Sequence, residues 1–341
     1  MSDPFLLSIT TTSYTTERLK DIIDLLDSIE EQTYQNIEII VIVEKSQELL
    51  NSVKKYISEK IHHPSRVIFN DGEQGLSAAR NLGYKNAKGD IIGFIDDDAV
   101  LFPDWASETI KTYSESSIIG VTGTILPFWQ DKVVDWFPSE FDWILSCTGW
   151  SGITENQEVR NVFGTNMSFR REAFVSGGMF STDLGAKGGG KSGKHELVGD
   201  ETEFSIRVVK STGQCLLFNP KVRVKHKVYE YRITPSFVAK RAYWEGYTKA
   251  VFKKSYKFTG NNKNLLHVEQ QLLKRIIGRL LPKILGELFT RPGIALRKLS
   301  ITVNATFFVA LGYFNYSMKS LFGHRQNINF EKESIKNGTR T

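Results

Sequence analysis

The strongest constraint on this chain is Gly89–Val100, GDIIGFIDDDAV, where a short apolar run meets three consecutive aspartates. Ile91, Ile92, Phe94 and Ile95 read as a strand buried on both faces, since a half-exposed strand would alternate apolar and polar residues. Asp96, Asp97 and Asp98 follow at once. Three adjacent carboxylates repel one another and do not stay buried without compensation. A strand end that holds them together calls for a cation. Hard divalent ions take oxygen ligands, and Mg²⁺ usually binds through one or two carboxylates plus substrate phosphates. A solvated acidic turn is the plainer alternative; the flanking sequence favours the metal.

The residues before this run alternate between strand and helix signals. Phe5–Thr10 reads as a first strand, followed by a polar loop at Thr10–Ser13. Leu19, Ile22, Ile23, Leu26 and Ile29 repeat at helical spacing. Ile37–Val43 is a second buried strand ending at Glu44. A helix over Leu49–Ile61, a short strand at Val67–Phe69 and a helix over Ser77–Lys88 lead into the central strand. This alternation predicts an α/β fold with a doubly wound, mostly parallel sheet flanked by helices. Ligands in such sheets sit at the carboxyl ends of the strands. The first loop, Glu44 and the three aspartates all fall on that edge.

The second half is less regular. Ile118–Leu126 reads as a strand, and Asn161–Arg170 as a strand entering the site. Phe128–Trp150 holds seven aromatic residues, most of them expected to pack a core, with one or two free to stack on a sugar or lipid. Gly185–Gly199 has the composition of a mobile loop. Its start, GAKGGGKS, fits the phosphate-loop pattern GxxxxGK[ST], but no buried strand precedes it and no helix follows directly. A Gly/Lys-rich lid over a phosphorylated ligand is the better reading. Next comes GDETEF, Gly199–Phe204, opening a helix to Ser211. Its acids are either helix N-terminal residues favoured by the dipole or a source of general base. Leu216–Phe218 and Val222–Lys225 read as two short strands, with His226 after them as a metal ligand or a surface histidine.

Five stretches, in order, resemble glycosyltransferase family 2 with the GT-A fold: Gln32–Tyr34, Gly75–Gly83 (GLSAARNLG), Ala87–Asp90 with Phe94–Asp98, Gly199–Phe204, and Pro220–His226. Arg241–Gly246 resembles a helix seen in related members. The resemblance covers most of the first 250 residues, expected as the catalytic domain (1–250), with a helical appendage at 251–341. It implies inverting transfer from a nucleotide-diphosphate sugar, UDP-linked by expectation, with Mg²⁺ or Mn²⁺, as in members that extend lipid-linked glycans. It also implies roles. Thr12, Glu44 and Arg80 contact the nucleotide, with Asp96 near its ribose and Asp97 on the donor side. Asp98 ligates the metal, with His226 as second ligand. Glu201 stands at the position of the catalytic aspartate and Asp200 at that of the family's preceding Glu, so either carboxylate is a candidate base. Glu44 stands where the family usually has Asp.

The C-terminal third departs from that pattern. Leu265–Phe289 carries paired apolar residues at helical spacing, with a kink expected at Pro282. From Leu265 to Lys298 there are seven basic residues, Lys274, Arg275, Arg279, Lys283, Arg291, Arg297 and Lys298, against Glu269 and Glu287. Such a helix either lies on anionic lipid or packs on the catalytic domain. Leu299–Met318 is uncharged and long enough to span a bilayer, but Ser300, Thr302, Asn304, Thr306 and Asn315 make an interfacial or buried helix the expectation. The net charge of +6 suits anionic ligands or a membrane surface, and the resemblance leaves nucleic acid out. Cys147 and Cys215 form neither a disulfide framework nor a zinc site. With an N-terminus that lacks the pattern of a signal peptide, they place the chain on the cytoplasmic face of a membrane. The expected acceptor is a hydroxyl on a polyprenyl- or dolichyl-phosphate-linked sugar or another glycan. A sugar-phosphate nucleotidyltransferase and a catalytically inactive membrane-recruitment module are the alternatives; neither needs both acidic sets.

Overall fold

The computed structural model describes residues 5–185, 197–255 and 266–321. Strands β1 (Leu7–Ser13), β2 (Ile37–Glu44), β3 (Ser65–Asn70) and β4 (Ile91–Ile95) alternate with helices α1 (Leu19–Glu30), α2 (Gln47–Lys60) and α3 (Leu76–Asn86). Then come β5 (Ala99–Leu101), α4 (Trp105–Thr112), β6 (Ile118–Trp129), β7 (Gln157–Glu158), β8 (Asn166–Arg170), α5 (Arg171–Gly177), α6 (Asp200–Thr212) and β9 (Cys215–Val228). Helices α7 (Pro235–Ser255), α8 (His267–Arg275), α9 (Leu281–Thr290) and α10 (Pro292–Leu321) complete the described chain.

The sheet order is β3-β2-β1-β4-β8-β6-β9-β5, with β7 beside β9. The first four strands are parallel, and β8 joins β4 antiparallel. Every residue of β2 and β4 is buried, as continuous apolar runs in a two-sided sheet require. The strand order reverses direction at β1 and β4, which places the ends of β1, β2 and β4 at the switch point where ligands bind in open α/β sheets.

Two local expectations are corrected. The threonines after Ile9 are strand, not loop: β1 runs to Ser13 because it pairs with β2 along its whole length, Ser13 lying opposite Val43, and with β4 as far as Thr10, opposite Phe94. β-branched threonine tolerates that pleated setting. The region after Gly213 is one strand across Pro220, not two. Pro220 lacks an N–H, but the neighbouring turn of the ladder is held by Asn219, whose Oδ1 accepts the Lys221 N–H at 2.9 Å.

The described residues form two compact units: one from residues 5–126 and 153–227, the other from residues 127–152 and 228–321. The expected cut after residue 250 falls inside α7. In the first unit, an aromatic cluster forms the core beneath the site. Phe204 of α6 lies 4.4 Å from Phe180, 4.8 Å from Phe174 and 4.9 Å from Phe169, ring centre to ring centre. That packing fixes the helix whose first residues are the second acidic set.

In the second unit, α7 and α10 approach so closely that Gly246 lies against the Val309 carbonyl and Gly312 against the Tyr243 carbonyl, where no Cβ fits. Trp136, Phe137, Phe141 and Trp143 pack into this helical core, as expected for most of the aromatic stretch. The turn before Pro282 is a π-bulge over Ile276–Leu280. Proline cannot donate to the carbonyl four residues back, and the wider turn absorbs the mismatch. By length and composition α10 is able to cross a membrane, and most of its apolar window is uncovered by protein.

Candidate active site

The three aspartates stand at the C-terminal end of β4, in the turn before β5. Asp98 is almost fully buried, with Asp96 and Asp97 half-buried. β5 pairs with β9 so that Ala99 lies opposite His226, which carries the histidine to Asp98. His226 is 1 % exposed, so it is not a surface histidine. Its Nε2 lies 3.1 Å from Asp98 Oδ1. Asp96, Asp98 and His226 each offer a ligand atom, all within 4.8 Å of one another. His226 Nδ1 is buried with no hydrogen-bond partner, as is Asp97 Oδ2. The donor set fits Mg²⁺ or Mn²⁺, and the imidazole nitrogen, softer than oxygen, favours Mn²⁺. Burial raises the Asp97 carboxyl well above the ordinary range, and the Asp98 charge adds to this.

The second acidic set reaches the same edge through Arg80. This arginine, on α3, is buried and forks. Its Nη1 donates to Asp200 Oδ2 at 2.7 Å, and its Nη2 to Asp96 Oδ1 at 3.3 Å and the Gly164 carbonyl at 3.2 Å. Burial works against its charge, yet Asp200, Asp96 and Glu201 together hold its pKa above the usual value. Asp200 also accepts from Ser77 Oγ at 3.3 Å. Both bonds fall on the same oxygen, Oδ2.

Glu201, the next residue, hydrogen-bonds with the Asp200 side chain and lies close to Arg80. A side chain at Gly164 would sit 4.0 Å from the Glu201 carboxyl carbon and 3.3 Å from Arg80, so the glycine leaves room between them. Burial lifts the Glu201 carboxyl to about 8, with the Asp200 charge adding and Arg80 opposing. Glu203 is turned away and closed by Arg207 at 2.7 and 2.8 Å, a helix-stabilising pair one turn apart.

The other expected residues divide. Thr12 lies near the end of β1, half-buried. The Glu44 carboxylate, 7 % exposed, accepts from Asn70 Nδ2 at 2.7 Å and from the Gly75 N–H at 3.1 Å, and so shapes the loop that starts α3. Thr165, Ser77, Gly164 and Arg18 join the site without having been singled out. Thr165 Oγ1 donates to Asp96 Oδ2 at 2.8 Å; it lies in Asn161–Arg170, the stretch expected to enter the site. Residues 186–196, with all but the first residue of the phosphate-loop match and most of the expected lid, lie outside the described residues.

A parallel α/β sheet with a cation donor set at the switch point and a second acidic helix start beside it defines a GT-A-type transferase. The family model described as Glycosyl transferase family 2 matches residues 8–178. Over 278 residues the chain is 31 % identical to a glucosyl-dolichyl phosphate glucuronosyltransferase of Haloferax volcanii, covering 80 % of this chain and 85 % of that protein. The chain belongs to glycosyl transferase family 2 and is a glycosyltransferase. Its fold is similar to a mannosyltransferase from Pyrobaculum calidifontis solved with GDP-Man and Mn²⁺, with a TM-score of 0.63, 16 % identity, and 92 % of this chain and 88 % of that one covered. It is also similar to GalNAc-T7 solved with UDP, GalNAc and Mn²⁺, with a TM-score of 0.51, 17 % identity, and 83 % and 58 % covered.

Proposed function

We propose that this enzyme moves a sugar, with inversion, from a nucleotide-diphosphate donor, UDP-linked, to a hydroxyl of a dolichyl- or polyprenyl-phosphate-linked sugar. The observation that carries this reading is the Arg80 fork. One buried guanidinium joins the aspartates of the cation site to the helix start that holds the base. Asp98 and His226, with Asp96, hold the divalent metal, which when bound neutralises the diphosphate leaving group. Glu201 is the base. Its carboxylate takes the acceptor hydroxyl proton as the oxygen bonds to the anomeric carbon and the bond to the diphosphate oxygen breaks. Asp200, held by Arg80 and Ser77, orients that helix start and raises the Glu201 pKa. Thr12, Glu44, Asp96 and Asp97 line the donor side, Glu44 through the loop it shapes.

The named substrate class of the Haloferax relative supports the lipid-linked acceptor, and the metal- and nucleotide-sugar-bound structural neighbours support the donor. The helical unit supports a peripheral position on the cytoplasmic face of the membrane. Leu273, Ile277, Leu285 and Phe289 are exposed on α8, the π-bulge and α9, and Leu296, Val303, Phe307 and Phe314 on α10. Lys274, Arg279, Lys283, Arg291 and Arg297 are exposed among them. Apolar residues flanked by basic ones suit an anionic lipid surface. The two cysteines of the sequence, Cys147 and Cys215, suit the reducing side.

The test is a turnover assay with a panel of UDP- and GDP-sugars, dolichyl-phosphate-linked acceptors and Mn²⁺. Sugar appearing on the lipid with inverted anomeric configuration supports the reading. Formation of a nucleotide sugar and diphosphate when a nucleoside triphosphate and a sugar 1-phosphate are supplied instead, or no product with any donor, rejects it.

A further inference from the structure

Arg18 lies five residues beyond the end of β1, in a 3-10 turn at Thr16–Arg18. Its Nη1 is 2.8 Å from Asp98 Oδ2 and 3.1 Å from Asp21 Oδ2. Asp21 is held in turn by Lys227, whose Nζ is 2.9 Å from Asp21 Oδ1. Lys227 is 1 % exposed and follows His226 in β9, and its backbone N–H donates to the Asp98 carbonyl at 2.8 Å. The groups close a ring: Asp98, His226, Lys227, Asp21, Arg18 and back to Asp98. In this ring a monovalent guanidinium binds a carboxylate oxygen of a metal ligand. A divalent cation on the same carboxylate and the Arg18 charge would repel each other at this range.

We propose that Arg18 is a positioning residue that holds Asp98 while the site has no metal, gives way when the cation binds, and then takes a phosphate oxygen of the donor's diphosphate. Asp21, anchored by buried Lys227, keeps the guanidinium at the site after it leaves Asp98. Arginine suits the handover. Its planar fork binds carboxylate and phosphate in the same geometry, and a phosphate beside a bound cation is the stronger anion. The turn carrying Arg18 holds no buried residue, and 16 % of the Arg18 side chain is open to solvent.

This inference rests on the reading of the site as a metal and nucleotide-diphosphate site, and the experiment separates the two. Mn²⁺ alone is titrated into the full chain by calorimetry or by loss of the free Mn²⁺ paramagnetic resonance signal. UDP, and GDP in parallel, are then titrated at saturating Mn²⁺. Wild type, Arg18→Gln and Arg18→Lys are compared, with thermal melting to confirm folding. Wild type that binds neither Mn²⁺ nor nucleotide fails the underlying reading. If wild type binds both, Arg18→Gln should bind Mn²⁺ alone about tenfold tighter and nucleotide about tenfold weaker. Arg18→Lys keeps the charge without the fork. It should hold Mn²⁺ affinity near wild type and lose part of the nucleotide affinity. Arg18→Gln with unchanged or weaker Mn²⁺ binding overturns the displacement, and unchanged nucleotide affinity overturns the handover. Should Arg18→Gln not fold, Arg18→Lys with wild-type nucleotide affinity overturns the role of the fork.

Discussion

Arg80 Nη1 lies 2.7 Å from Asp200 Oδ2, and both side chains are 4–5 % exposed. An ion pair this deep is costly to break, because removing one partner leaves an uncompensated buried charge. Arg80→Ala is expected to destabilise the chain by about 3–5 kcal/mol, read by denaturant unfolding. A loss below 1 kcal/mol would mean that water reaches the pair.

The base assignment makes a contrast between neighbours. Glu201→Gln keeps the shape and removes the proton acceptor, so turnover should fall about 10²–10⁴-fold with donor binding nearly unchanged. Asp200→Asn should leave measurable turnover and lower stability instead. An active Glu201→Gln with a dead Asp200→Asn reverses the roles.

The pH profile follows from the same carboxyl. Burial and the Asp200 charge push Glu201 up to about 8. The working form is deprotonated, so turnover rises with pH and levels off above about 8, rather than falling across that range. Asp200→Asn removes one cause of the upward shift and leaves Arg80 less engaged. Both effects lower the Glu201 pKa, so its limb moves to lower pH. An unmoved limb would detach the profile from Glu201.

For the metal, Asp98→Ala should lower Mn²⁺ affinity by at least about 100-fold, with the secondary structure intact by circular dichroism. Persisting metal-dependent donor binding would remove Asp98 from the ligand set.

The lipid surface is tested by vesicle sedimentation. Each exposed basic residue near anionic lipid contributes about 1 kcal/mol. Lys274→Glu, Arg279→Glu and Lys283→Glu together should weaken binding by about 100-fold or more at moderate salt. Arg275 is the wrong choice for this test, because it donates to the Trp150 and Ser151 carbonyls and would report on folding. Equal pelleting of the triple variant refutes the electrostatic part.

Local sequence determined a good deal of this protein. An apolar run meeting three acids specified β4 and the position of its carboxylates, and helical periodicity specified α1 to within a residue, because both signals are carried by near neighbours. GLSAARNLG and GDETEF were readable as helix starts for the same reason. Tertiary structure decided what the side chains do. The length of β1 depended on partners from β2 and β4, and β9 became one strand only by pairing across the sheet. Arg80 joins Asp96 to Asp200 across 120 positions, and Lys227 holds Asp21 across 206. Nothing in the spacing of such residues encodes their meeting, since charge pairing acts through space and is set by how the sheet brings the strand ends together. The split between Asp200 and Glu201 was likewise undecidable from two adjacent acids. Burial and the neighbouring Asp200 carboxyl raise the Glu201 pKa, while Arg80 binds Asp200, and both effects depend on how the chain folds around the pair.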